Sequence, residues 1–137
     1  MEFSNLSTLN ASIVVKIGSI VVPIDNFDPD SDIFTVNDRQ TADGEVTPDG
    51  YFNAWAMRTP IETSFNVTGA SRGGKVLQGL LNAQANGVLN SASIVVKNND
   101  FVATYGPGVL TSAKPSQHLG NQKVLPTTFN FKFGNIL

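Results

Sequence analysis

Phe129, Phe131 and Phe133 alternate with Asn130 and Lys132 near the end of the chain. Successive side chains on a β-strand point to opposite faces, so this spacing demands a strand with one wholly apolar face. That face must lie in a core or an interface. The rest of the chain speaks the same language. Residues 12–17 and 19–24 are β-branched runs parted by Gly18, which predicts two strands joined by a tight turn or one strand with a bulge. Pro23 closes the second run because proline cannot donate to a central ladder.

Residues 25–32 (DNFDPDSD) form a polar turn segment, and the strand pattern resumes over 33–37. The stretch 38–50 holds two Asp-Gly pairs, Asp43–Gly44 and Asp49–Gly50, each a favourable place for positive φ, and predicts a protruding loop or hairpin. Residues 51–57 and 62–68 are expected to pair antiparallel around the Arg58–Thr59–Pro60 turn. One helix is expected. Ser71 is its N-cap, Val76, Leu77, Leu80 and Leu81 fall at helical spacing over residues 74–84, and Asn86–Gly87 stops it. Strands are read again at 93–97 and 101–105. An irregular excursion over 106–125 follows, with a short strand near 109–113. The hexapeptide Ala-Ser-Ile-Val-Val-Lys occurs at 11–16 and again at 92–97, each copy followed by a turn and a second strand-like run. Two hairpins in equivalent places of a pseudo-symmetric sheet would account for this echo, and so would β-rich composition alone.

The chain of 137 residues fits one domain, residues 1–137, and its 41% hydrophobic content with nine Phe suffices for a core. It has no Cys, which excludes disulfides, thiolate metal ligands and a Cys nucleophile. Residues 1–10 lack the basic and apolar regions of a signal peptide, and the apolar runs fall short of the ~20 residues that span a bilayer, so synthesis in the cytosol is expected. Charge is divided along the chain. Residues 1–62 hold ten acids against Lys16, Arg39 and Arg58, a balance of −7, whereas residues 63–137 hold Asp100 against six bases, a balance of +5. Either the loops collected acids and the strands lysines, or opposite signs meet between copies and favour head-to-tail stacking.

No set of residues carries catalytic chemistry, and no enzymatic activity is expected. The single His118 has no acid near it in sequence to orient it. Asp28, Asp30 and Asp32 alternate like the first ligands of a calcium loop, but Ile33 stands where that loop needs glycine and Arg39 where it needs glutamate. Ser71-Arg72-Gly73-Gly74-Lys75 opens the helix and offers N–H groups to an anion, without the spacing of a phosphate-binding P-loop. Basic residues are scattered and the pI is about 5.1, which argues against nucleic-acid recognition. No cofactor or metal is expected.

The string Thr41-Ala42-Asp43-Gly44-Glu45-Val46, a strand pair, and then Gly73-Gly74-Lys75-Val76-Leu77-Gln78-Gly79-Leu80-Leu81 resemble the tail tube proteins of contractile-tailed bacteriophages. The resemblance covers roughly residues 11–100, and residues 101–137 match in strand character alone. It implies a mainly β fold with one helix, an antiparallel β-sandwich or open barrel. Its sheet would join those of neighbouring subunits into a hexameric ring with a continuous barrel. Rings would stack into a tube within a sheath, with tape-measure protein and DNA in the lumen, in a virion tail assembled from protein made in the host bacterial cytoplasm. No membrane partner is implied. The residues expected to touch the next ring are Asp38, Arg39, Asp43, Gly44, Glu45, Asp49, Arg72 and Lys75.

Two further roles compete with the tube. One is a tube-initiating baseplate ring or tail terminator. The other is a monomeric β-sandwich binding module with Tyr51, Phe52 and Trp55 as a platform, although core packing explains those aromatics more simply.

Overall fold

The computed structural model describes residues 3, 4 and 6–137; Met1, Glu2 and Asn5, part of the segment read against a signal peptide, lie outside the described residues. The strands are β1 (Ser12–Ile17), β2 (Ile20–Pro23), β3 (Thr35–Val36), β4 (Ala42–Val46), β5 (Phe52–Ala56) and β6 (Ile61–Val67). Helix α1 (Arg72–Ala85) follows, and then β7 (Ala92–Asn98), β8 (Phe101–Ser112), β9 (His118–Leu119), β10 (Val124–Leu125) and β11 (Thr127–Phe133). Seven of them make one antiparallel sheet in the order β2-β1-β7-β8-β11-β6-β3, while β4–β5 and β9–β10 form separate two-stranded ribbons. The fold is thus mainly β with one helix, and sandwich-like.

The repeated hexapeptides pair with each other. Ile13 faces Val96, Val14 faces Val95, Val15 faces Ile94, and each lysine faces the other copy's serine, so a local twofold passes through the Val14–Val95 pair. Each copy runs into its own hairpin, β1 into β2 through Gly18 (φ +59°) and β7 into β8 through Asn99 (φ +49°), giving the palindromic order β2-β1-β7-β8. The echo in the sequence is therefore a pseudo-symmetric pair of hairpins. Ile13, Val15, Ile94 and Val96 point inward, while Lys16 and Lys97 point out.

The sheet curls because one segment serves two distant strands. Ile24 donates its N–H to Ile13 in β1 (2.9 Å). A few residues later, Asp28 donates to Asn66 (3.2 Å), Thr68 donates to Asn26 (2.8 Å), and Phe27 bridges to Val67 at the end of β6. A chain that bonds the second strand of the sheet and then the sixth draws the sheet around its apolar face. Inside stands a ladder of rings running Phe129, Phe65, Phe131, Phe133, Tyr105 and Phe34, with neighbouring centroids 5.6–5.8 Å apart. Phe65, Phe129, Phe131 and Phe133 are at most 1% exposed.

Helix α1 begins as expected at Ser71, whose side chain accepts from the Gly74 N–H. A Cβ at Gly73 would strike the Pro23 carbonyl, and one at Gly74 would crowd Val67, so the glycines let the first turn lie flush on the sheet. Gly79 has no such reason. It is exposed, and nothing lies within 4 Å of a Cβ built there. Gly79→Ala should therefore raise stability by about 1 kcal/mol and the midpoint of thermal unfolding by a few degrees; a fall in that midpoint would contradict the open position.

Three expectations are corrected. Residues 51–57 and 62–68 do not pair: β5 pairs with β4, whereas β6 lies between β11 and β3. The burial patterns give the reason, since β6 alternates buried and exposed while β5 is exposed throughout, and a shared hairpin would place both on the same core. The excursion begins later than residue 106, because β8 continues through Gly106–Pro107 to Ser112, changing partner from β7 to β11 across a bulge. Gly108 is needed there, since a Cβ would run into the Lys132 carbonyl and the Phe133 ring. Gly44, expected to take positive φ, instead lies within β4, and only Gly50 (φ +92°) supplies that turn geometry.

Candidate assembly surface

Residues 38–60 leave the curled sheet as an arm. At its root Arg39 Nε donates to the Thr59 carbonyl (3.0 Å), and Thr59 Oγ1 donates to the Gln40 carbonyl (2.7 Å). At its tip the Thr47 N–H donates to the Tyr51 carbonyl (2.8 Å), Thr47 Oγ1 donates to Asp49 Oδ1 (2.5 Å), and Gly50 makes the turn. Between root and tip β4 and β5 pair in register, Ala42 with Ala56 through Val46 with Phe52.

Alternation gives the arm two unlike faces. One carries Ala42, Gly44, Val46, Phe52, Ala54 and Ala56, with the Phe52 ring lying across Gly44. The other carries Asp43 opposite Trp55 and Glu45 opposite Asn53. All ten residues of the two strands are exposed. Val46 is 71% exposed; Tyr51 at 69%, Phe52 at 68% and Trp55 at 47% overturn the assignment of these three aromatics to a core. A lone two-stranded ribbon is marginal in water, and apolar rings on both of its faces mark it as an element that awaits a partner.

Asp38 and Arg39 sit at the arm's root, Asp43, Gly44 and Glu45 on its shaft and Asp49 at its tip. Among the described residues the arm's acids form no ion pair; the pair present joins Lys132 to Glu62 on neighbouring strands of the sheet (3.5 Å). Arg72 and Lys75 stand apart, in the first turn of α1. Arg72 borders a hollow of about 320 Å³ whose apolar wall is Ile20, Val21, Val22, Pro23 and Val76, beside the open edge of β2. Ile20 (58%) and Val21 (59%) are exposed on this edge, a second apolar surface where the sequence pattern predicts an ordinary strand. No local signal marks it, because exposure depends on what the fold leaves uncovered.

The anion cradle at the helix start is already filled. Asp25, 46 residues upstream, accepts from Ser71 Oγ (2.9 Å) and from the Gly73 N–H (3.3 Å). These bonds, the Gly73 N–H foremost and then the Ser71 hydroxyl, hold the Asp25 carboxyl below its ordinary value of 3.8. A phosphate at this place would meet a carboxylate. A depressed folded-state pKa means a contribution present above the unfolded value and lost as pH falls through the folded one. Thermal midpoints of the wild type should thus drop below about pH 4 more steeply than those of Asp25→Asn; parallel pH profiles would remove Asp25 from this role. Of the other sequence-level suspects, the Asp28 carboxylate accepts from the Asp30 N–H (3.3 Å) and Ser31 Oγ (2.5 Å) in a local turn, and His118 Nδ1 meets Lys114 Nζ. Among the described residues no cluster of His, Asp or Glu is arranged to hold a metal.

A curled antiparallel sheet with one helix packed on it recurs in chains of the anti-feeding prophage. A chain of the anti-feeding prophage (AFP) baseplate superposes with a TM-score of 0.63 at 10% identity, over 100% of this chain and 96% of that one. A chain of the AFP tube-terminating cap gives 0.51 at 11% identity, over 91% and 85%. At such identities the likeness is one of fold. No curated protein matches the sequence. The family described as tail fiber protein gp32 matches residues 4–137, and the chain belongs to it. The resemblance to tail proteins thus holds at the level of a phage-tail structural family.

Proposed function

We propose that the chain is a non-enzymatic virion structural protein that assembles with copies of itself into hexameric rings, which stack into the tube of a contractile tail. The observation that carries this reading is the arm, with its ten exposed strand residues, its apolar rings and acids that form no ion pair among the described residues. In the ring, the open edge of β2 meets the next subunit, so that the sheets run on into one barrel and no edge is left exposed. In the stack, the arm reaches the adjacent ring through Asp38, Arg39, Asp43, Gly44, Glu45 and Asp49, while Arg72 and Lys75 offer opposite charge. The tail sheath protein would surround the tube, and tape-measure protein and DNA would occupy its lumen without sequence-specific contacts.

A second reading draws on the baseplate chain that this fold follows end to end: a ring that initiates or terminates the tube. Negative-stain microscopy of the purified protein tests both. Long tubes, with many copies per purified particle, fit the tube; single rings that never lengthen, with few copies per particle, fit the initiator or terminator. Monomers at every concentration sink both readings.

A further inference from the structure

At the end of the sheet where β1 starts and β7 turns into β8, the fold leaves a hollow of about 440 Å³. Ile13, Val96, Ile33, Phe34 and Phe101 wall it, and its polar lining includes Asn98, whose buried Oδ1 has no hydrogen-bond partner among the described residues. The apolar part of this open hollow is left against water, and an unmet buried carbonyl adds to the cost. Both deficits call for an apolar chain segment to cover them.

This chain contains such a segment, and leaves it uncovered. Phe3 is 92% exposed, Leu6 87% and Leu9 91%. A spacing of three places such residues on one side of a threefold path, such as polyproline II or a 3₁₀ turn. The segment is rooted at the rim of the hollow. Thr8 and Ala11 line it, Asn99 Nδ2 donates to the Ser7 carbonyl (3.1 Å), and the Ala11 N–H donates to the Thr8 carbonyl (3.1 Å). From that root Phe3 and Leu6 stand in solvent rather than in their own chain's hollow.

We propose that Phe3 and Leu6 of one copy fill the hollow of a second copy. Every copy carries one segment and one hollow, so a head-to-tail exchange satisfies all subunits of a closed ring or a stack. The inference rests on the self-assembly reading and assigns it a second contact, separate from the arm.

Because the chain has no cysteine, cross-linking can be read cleanly. Leu6→Cys protein mixed with Asp32→Cys protein, Asp32 being an exposed residue of the hollow's rim, should give on mild oxidation a covalent dimer several-fold above that of either variant alone. The double variant in one chain should give a ladder of multimers. An internal disulfide running as a monomer would show the segment folding back on its own hollow, and would overturn the exchange. In parallel, Phe3→Ser with Leu6→Ser should raise the concentration needed for assembly at least tenfold while leaving the thermal midpoint of the unassembled protein unchanged. Unaltered assembly of that variant beside assembling wild type sinks the exchange alone; a wild type that never assembles sinks the self-assembly reading as well.

Discussion

Phe65→Ala should cost about 3–5 kcal/mol, the range for deleting a fully buried aromatic ring. Phe65 is 0% exposed and stands between Phe129 (5.7 Å) and Phe131 (5.8 Å) in the ring ladder, so its removal takes two aromatic contacts as well as its own burial. The neighbours cannot close the gap cheaply. Phe129 and Phe131 come from β11, whose register against β6 is set over seven consecutive pairs from Thr127–Val67 to Phe133–Ile61. Domains of this size are stable by about 5–15 kcal/mol, so the variant should be near the edge of folding. Denaturant titration reads the loss directly; a decrease under 1 kcal/mol would show that the ladder is not the core's centre.

Reversing both Asp43 and Glu45 to lysine should abolish long polymers while leaving the subunit folded. Both side chains are exposed and form no ion pair among the described residues, Asp43 accepting only from the Gly44 N–H beside it (2.7 Å), so the fold has little stake in their sign. Across a contact the stake is larger. Two opposite charges 4 Å apart near a protein surface attract by about 4 kcal/mol at an effective dielectric constant of 20, and reversal turns each attraction into repulsion of the same order. Reversal at Lys97 or Lys132 should do less, and at Lys132 it removes only a half-exposed pair with Glu62, worth about 0–1 kcal/mol. Added salt should partly restore the double variant, because screening acts within about 10 Å at 0.1 M. Pelleting against concentration and tube lengths in negative stain give the measurement. Wild-type lengths in the double variant would remove the arm's acids from stacking.

Much of the secondary structure was legible because it follows from short-range rules. The alternation of Phe129, Phe131 and Phe133 became β11 with all three rings inward. Ser71 capped α1 as its position before the Leu-rich run required, and the Asp-Gly-rich stretch became a projecting hairpin. The candidate surface was legible only in outline. Asp43 and Glu45 enter as candidates through the resemblance to tail tube proteins, whereas the core expected for Trp55 and Phe52 fails because an aromatic on a strand has the same pattern whether its face is covered or not. Asp25 escaped notice altogether, since its partners Ser71 and Gly73 are distant in sequence and meet it only through the curl of the sheet.

By itself, then, the sequence determined a mainly β chain with one helix, the inward rows of its strands, the place of its projecting arm, and the absence of disulfide chemistry. Tertiary structure alone decided that β6 joins β11 rather than β5, that the two hexapeptides lie side by side, that β8 bends across Gly108 to serve two partners, and that the arm's aromatics face water. The division has a physical cause. Side-chain period, capping and turn geometry are settled within a few residues, but the backbone groups that pair strands are the same in every residue, so partner choice is decided by which closure of the whole sheet buries the most apolar surface.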